Sequence, residues 1–118
     1  MDNKNSADRV DATSNPNNVL YNVTVKMDIG IADACLQWLL SVHAPQIVAT
    51  KCFTGFKVFH LLGMNDSEGP TYAIQYFGNS IDDYQRFADE FETYFLNESY
   101  SMWRSGLVFF GTLMKAVN

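Results

Sequence analysis

The chain has two histidines, His43 and His60, and they are its best-suited acid–base groups. An imidazole titrates near ~6.5, so it can take up and return a proton close to neutral pH. His43 stands in SVHAPQIVATKCF, residues 41–53, where an apolar helical pattern meets Pro45. It is the leading candidate for a catalytic base. A structural role alone would account for it and is the favoured reading: a histidine in the last turn of a helix meets the negative end of the helix dipole and can bond to free carbonyls. His60 alternates with Phe59 and Leu61 and reads as a half-buried strand residue. The two histidines are not three or four residues apart, so no metal site is expected. Cys35 and Cys52 fit no zinc or redox spacing, and Cys35 falls on an apolar helix stripe as an inert thiol.

Aromatic groups supply the other candidates. Trp38, His43, Tyr72 and Tyr76 are the expected ligand-binding set, walls of a pocket between helices and sheet, with Tyr21 and Tyr84 beside them. Buried tyrosine hydroxyls need partners, so such a set can orient a polar ligand, or it can be self-satisfied core. Asp82, Asp83, Asp89, Glu90 and Glu92 read as the solvated face of a helix. Nothing resembles a phosphate-cradling glycine loop or a nucleophile elbow, and no cofactor is expected.

The elements that must position these groups are legible from periodicity. Val19, Tyr21, Val23, Val25 and Met27 alternate with more polar residues, which predicts a strand. Ile31, Ala34, Cys35, Trp38, Leu39 and Val42 recur at helical spacing. That helix is expected to stop near His43-Ala44, because Pro45 disfavours helical geometry in the residue before it. Gln46–Thr50 then reads as a short turn. A strand follows over Phe53–Leu62, a turn-rich link over 63–70, and a third strand over Thr71–Phe77. Ser80 caps a second helix, with Asp83 three residues later and a stripe of Ile81, Tyr84, Ala88, Phe91 and Phe95. A further turn of helix is expected within Asn97–Arg104, and Leu107–Met114 is the last strand.

The order strand, helix, strand, strand, helix, strand predicts an α+β, ferredoxin-like split β-α-β fold. It has a four-stranded antiparallel sheet with two helices on one face. Residues 19–118 form the expected domain, and the Asn-, Asp- and Ser-rich residues 1–18 a flexible tail. Two helices cover only one sheet face. Three of the strands are apolar on both sides, with Phe56, Val58 and Leu62 against Phe53, Phe59 and Leu61, Tyr72, Ile74 and Tyr76 against Ala73 and Phe77, and Leu107, Phe109 and Leu113 against Val108, Phe110 and Met114, so the uncovered face keeps a large apolar surface. Soluble monomers rarely expose such a patch, so a homodimer packed sheet on sheet is expected. A net charge of −5 and a pI of about 4.7 argue against nucleic acid and anionic membranes as partners. The absence of an export-type or membrane-spanning apolar run points to the cytoplasm, a reducing compartment where a Cys35–Cys52 disulfide is not expected.

YNVTV at 21–25, Trp38 with His43-Ala44-Pro45, Ala49-Thr50, Phe53-Thr54, Thr71-Tyr72 with Gln75-Tyr76, and the Tyr84 helix together resemble a family of short bacterial proteins known as a domain of unknown function. The resemblance spans Leu20 to about Val117 and implies a dimeric α/β-barrel type of fold. It implies no catalytic residue. Two functions stay open. One is a homodimeric structural or regulatory module, favoured by the thin set of ionisable groups. The other is a small-molecule site, binding or enzymatic in the manner of cofactor-independent monooxygenases or isomerases of that fold.

Overall fold

The computed structural model describes residues 18–118. The tail expected over residues 1–18 lies outside them apart from Asn18. The elements are β1 (Val19–Met27), α1 (Ala32–Trp38), a π-helical segment (Leu39–His43), α2 (Ala44–Ala49), β2 (Gly55–His60), β3 (Thr71–Gly78), α3 (Ile81–Glu90), α4 (Glu92–Trp103), a 3₁₀ turn (Arg104–Gly106) and β4 (Leu107–Lys115). The sheet order is β2-β3-β1-β4 and every pairing is antiparallel. This is the ferredoxin-like α+β arrangement that the element order predicts.

β1 is the centre of the sheet. Val25 pairs with Tyr72 on one side and Phe109 on the other; Tyr21 pairs with Tyr76 and Leu113. Side chains alternate faces along a strand, so these residues share the inner face. There Val25, Met27, Ile74, Tyr76 and Phe53 form the core with Cys35, Leu39, Ile47, Phe87 and Phe95 from the helices. Phe53 is buried just ahead of β2, which is shorter than Phe53–Leu62 at both ends.

The first helical stretch departs from expectation. It does not stop at His43-Ala44. Ala44 keeps helical geometry (φ −65°, ψ −41°) and donates its N–H to the carbonyl of Leu39, five residues back. Proline in a regular α-helix would drive its ring into the carbonyl four residues earlier, here Ser41. The wider π turn relieves that clash, so the helix continues through Pro45 to Ala49. Lys51, at φ 70°, ends it, and the Thr50 hydroxyl donates to the carbonyl of Ile47 (2.7 Å).

The wide turn also shifts the helix phase by one residue. Val42, expected on the buried stripe, is turned outward, as is Ala34 earlier in the helix. His43 takes the inward place instead.

The second helical region is broken at Phe91 (φ −127°, ψ −28°) into α3 and α4. The Ser80 hydroxyl caps α3 by accepting from the Asp83 N–H (3.2 Å). Phe87 rather than Ile81 carries its buried face.

Gly69 secures the link before β3. A Cβ there would fall 1.8 Å from the Met27 carbonyl oxygen, and its φ of +141° suits only glycine. Gly69→Ala is expected to cost at least about 2 kcal/mol in urea unfolding. Gly30→Ala, which meets open space, should stay within about 1 kcal/mol of wild type.

Candidate functional site

Between the helices and the inner face of the sheet lies a cavity of about 70 Å³. Its floor is Tyr21, Val23, Val25, Ile74, Tyr76, Leu107 and Phe109; its roof includes Trp38, Leu39, His43, Phe87, Phe95 and Leu96. Three of the four expected ligand-binding residues, Trp38, His43 and Tyr76, line it. Tyr72 does not. It lies on the same inner face but toward the other end of β3, with its ring centre 5.1 Å from that of His60. His60 in turn bonds through Nε2 to Asp66 (2.8 Å), which occupies it structurally.

His43 is held on three sides. Its ring stacks on Trp38 (centroids 4.5 Å apart, planes 26°) and meets Phe95 edge-on (5.8 Å, 87°). Nδ1 stands 3.9 Å from Oε1 of Glu98, beyond hydrogen-bonding distance, and both atoms are sealed from solvent without a partner. Trp103, whose ring meets Trp38 edge-on at 5.8 Å, has its Nε1 sealed in the same way. Buried polar atoms are nearly always paired, because leaving one unpaired costs about 1–3 kcal/mol. Burial pushes the His43 imidazole down to about 4 and outweighs the nearby carboxylate, so the ring is neutral at pH 7.

Two carboxylates complete the site, and neither stands out in the sequence. Glu92, expected on a solvated helix face, lines the cavity and accepts a hydrogen bond from the Tyr21 hydroxyl (3.2 Å). The break at Phe91 re-phases the chain, so Glu92, Phe95, Leu96 and Ser99 share the inward stripe of α4. Glu98 reaches His43 from the neighbouring stripe. A break in helix phase leaves little trace in composition, which is why periodicity missed both. The Tyr21 hydroxyl is held protonated far above its ordinary range, by burial first and then by Glu92. Tyr76 is raised likewise by burial. Gly111 makes room for Tyr21, since a Cβ there would lie 2.5 Å from its hydroxyl. Cys35 and Cys52 are free, buried thiols outside the lining. Among the described residues no three His, Cys, Asp or Glu side chains converge on a metal position, and no helix is long and apolar enough to cross a membrane.

Residues 18–117 match the model of a family described as Domain of unknown function (DUF4286), and the chain belongs to that family. Comparison with curated proteins gives no match. Among solved structures, a variant of SnoaB, a cofactor-independent oxygenase from Streptomyces nogalater, is similar at 17% identity and a TM-score of 0.58, over 86% of this chain and 95% of that one. A dimeric ferredoxin-like protein from an uncultured marine organism is similar at 12% identity and TM-score 0.59, over 88% and 98%. A protein of Arabidopsis thaliana reaches TM-score 0.61 at 10% identity, over 85% and 98%. At these identities the likeness establishes a shared fold.

The neutral His43 has a pH signature. The unfolded chain binds its proton near ~6.5, while the native state resists until about pH 4. Between those values the unfolded state holds more protons, so stability falls as pH drops through that window. The loss is expected to reach on the order of 3 kcal/mol. Urea melts at stepped pH should show this component in wild type and lack it in His43→Phe. Equal slopes in the two proteins would mean that the ring is not desolvated.

Proposed function

We propose that the chain is a small-molecule-binding protein acting as a homodimer, with one cavity per subunit beneath the helices and the outer sheet face as the subunit interface. The observation that carries the binding role is the cavity itself, aliphatic and aromatic but for the Glu92 carboxylate and the Tyr21 hydroxyl bonded to it. A core built only for packing gains nothing from such atoms. The π turn that brings His43 inward supports the same reading, since such turns recur at functional sites. His43 is the residue to carry proton transfer if the bound molecule reacts. An oxygenase on the same fold is consistent with small-molecule chemistry here, as an analogy of fold.

The interface role rests on the outer face. Val108 is 69% exposed, Phe110 62% and Phe59 43%. The strand register places Phe59, Ala73, Thr24 and Phe110 in one row across the sheet, and Gly55, Phe77, Leu20 and Met114 in another. Between them runs the row Lys57, Gln75, Asn22 and Thr112. A polar stripe between two apolar ones suits a two-fold interface, which buries the apolar rows while hydrogen bonds fix the register. A dimeric ferredoxin-like neighbour supports pairing of this kind. Two buried free thiols fit a reducing, cytoplasmic setting.

Light scattering at micromolar concentration is expected to give a dimer, and the double variant Val108→Asp, Phe110→Asp a folded monomer. A wild-type monomer would sink the interface reading. For the cavity, small apolar ligands should raise the melting temperature of wild type by a few degrees. His43→Ala, expected to be less stable itself by roughly 1–2 kcal/mol, should lose most of that response.

A further inference from the structure

Glu92 is a charge that neither the fold nor the core requires. It opens α4, where the helix dipole tolerates a carboxylate. Yet it is turned into the cavity, with one oxygen engaged by Tyr21. Among the described residues no lysine or arginine pairs with it, and Arg86, on α3, instead donates to the carbonyl of Thr50. Glu98 lies six residues further along α4, about 9 Å along the helix axis. It stands behind His43, which burial keeps neutral. No lysine or arginine lines the cavity. The space is therefore walled by aromatic and aliphatic side chains and one carboxylate, and among the described residues no positive charge balances it.

We infer that the cavity takes a small apolar amine, its ammonium paired with Glu92 and its hydrocarbon body against Trp38 and Phe95. This rests on the ligand-binding reading above. An ammonium brings three donors to a carboxylate that has one engaged oxygen. Its charge is further stabilised over aromatic faces, with Tyr21, Phe95 and Trp38 in the wall. A carboxylate ligand would meet Glu92 in a partly desolvated space with no counter-charge among the described residues, which is repulsive. Size is restricted as well. An engineered apolar cavity that admits benzene measures about 150 Å³, and this one is about 70 Å³, so a short or branched alkyl chain suits it better than a fused ring system.

The test uses three small molecules that share one three-carbon body: propylamine, propan-1-ol and propanoate. Each is titrated into the ¹⁵N-labelled full chain at pH 7, and the indole N–H signals of Trp38 and Trp103 are followed by NMR. The amine is expected to bind at least tenfold more tightly than the carboxylate, with the alcohol between. Glu92→Gln keeps an acceptor for Tyr21 and removes the charge. It should retain alcohol binding and abolish the preference for amine over carboxylate. Carboxylate binding at parity with amine in wild type, or an amine preference unchanged in Glu92→Gln, overturns the inference while leaving the cavity a binding site. Binding by none of the three overturns the ligand-binding reading and this inference with it.

Discussion

The pairing of β1 with strands on both sides is the constraint from which the rest of the structure follows. Because β3 and β4 both run antiparallel to β1, one register decides every side chain's face across three strands. Tyr21, Val23, Val25 and Met27 then fall on one side, and the helices must cover them. A slip of one residue would exchange this set for Leu20, Asn22, Thr24 and Lys26, which no helix stripe could match. The cavity is what remains where the helices meet the floor set by that register.

Within this frame, the helical stretch 32–49 solves a local conflict in a way that shapes the site. Pro45 cannot sit in an unperturbed α-helix, and ending the helix there would strip cover from β1. Widening one turn keeps both the helix and the proline. The extra residue in that turn moves Val42 out and His43 in, so a backbone accommodation becomes a change in cavity chemistry. The second helical region does something similar at Phe91, where the break re-aims α4 and brings Glu92 to the lining. The places of His43 and Glu92 are thus products of phase shifts in helices rather than of a motif.

The two faces of the sheet divide the labour. The inner face is packed with aromatic rings: Tyr21 and Phe53 meet each other and each meets Tyr76 and Phe87, with ring centres 5.2–6.2 Å apart. Among the described residues the outer face has no such cover, and it keeps large apolar side chains at the surface. The same alternation that makes the core therefore makes the surface proposed for the dimer.

By itself the sequence determined the element types, their order and the two-faced apolar character of the strands. It did so because a period of two or of 3.6 residues is written directly in residue spacing, as in Val19–Met27 or in the Ser80–Asp83 cap. It also put Trp38 and Tyr76 on inward stripes, with His43 close by at the end of the expected helix. The tertiary structure alone decided that the helix passes through Pro45, that Val42 faces out, that Tyr72 lies beyond the cavity, and that Glu92 and Glu98 complete the site. The orientations of Val42, Glu92 and Glu98 depend on helix phase after a wide turn or a break. Phase there is set by packing against the sheet, and no local pattern of residues encodes it.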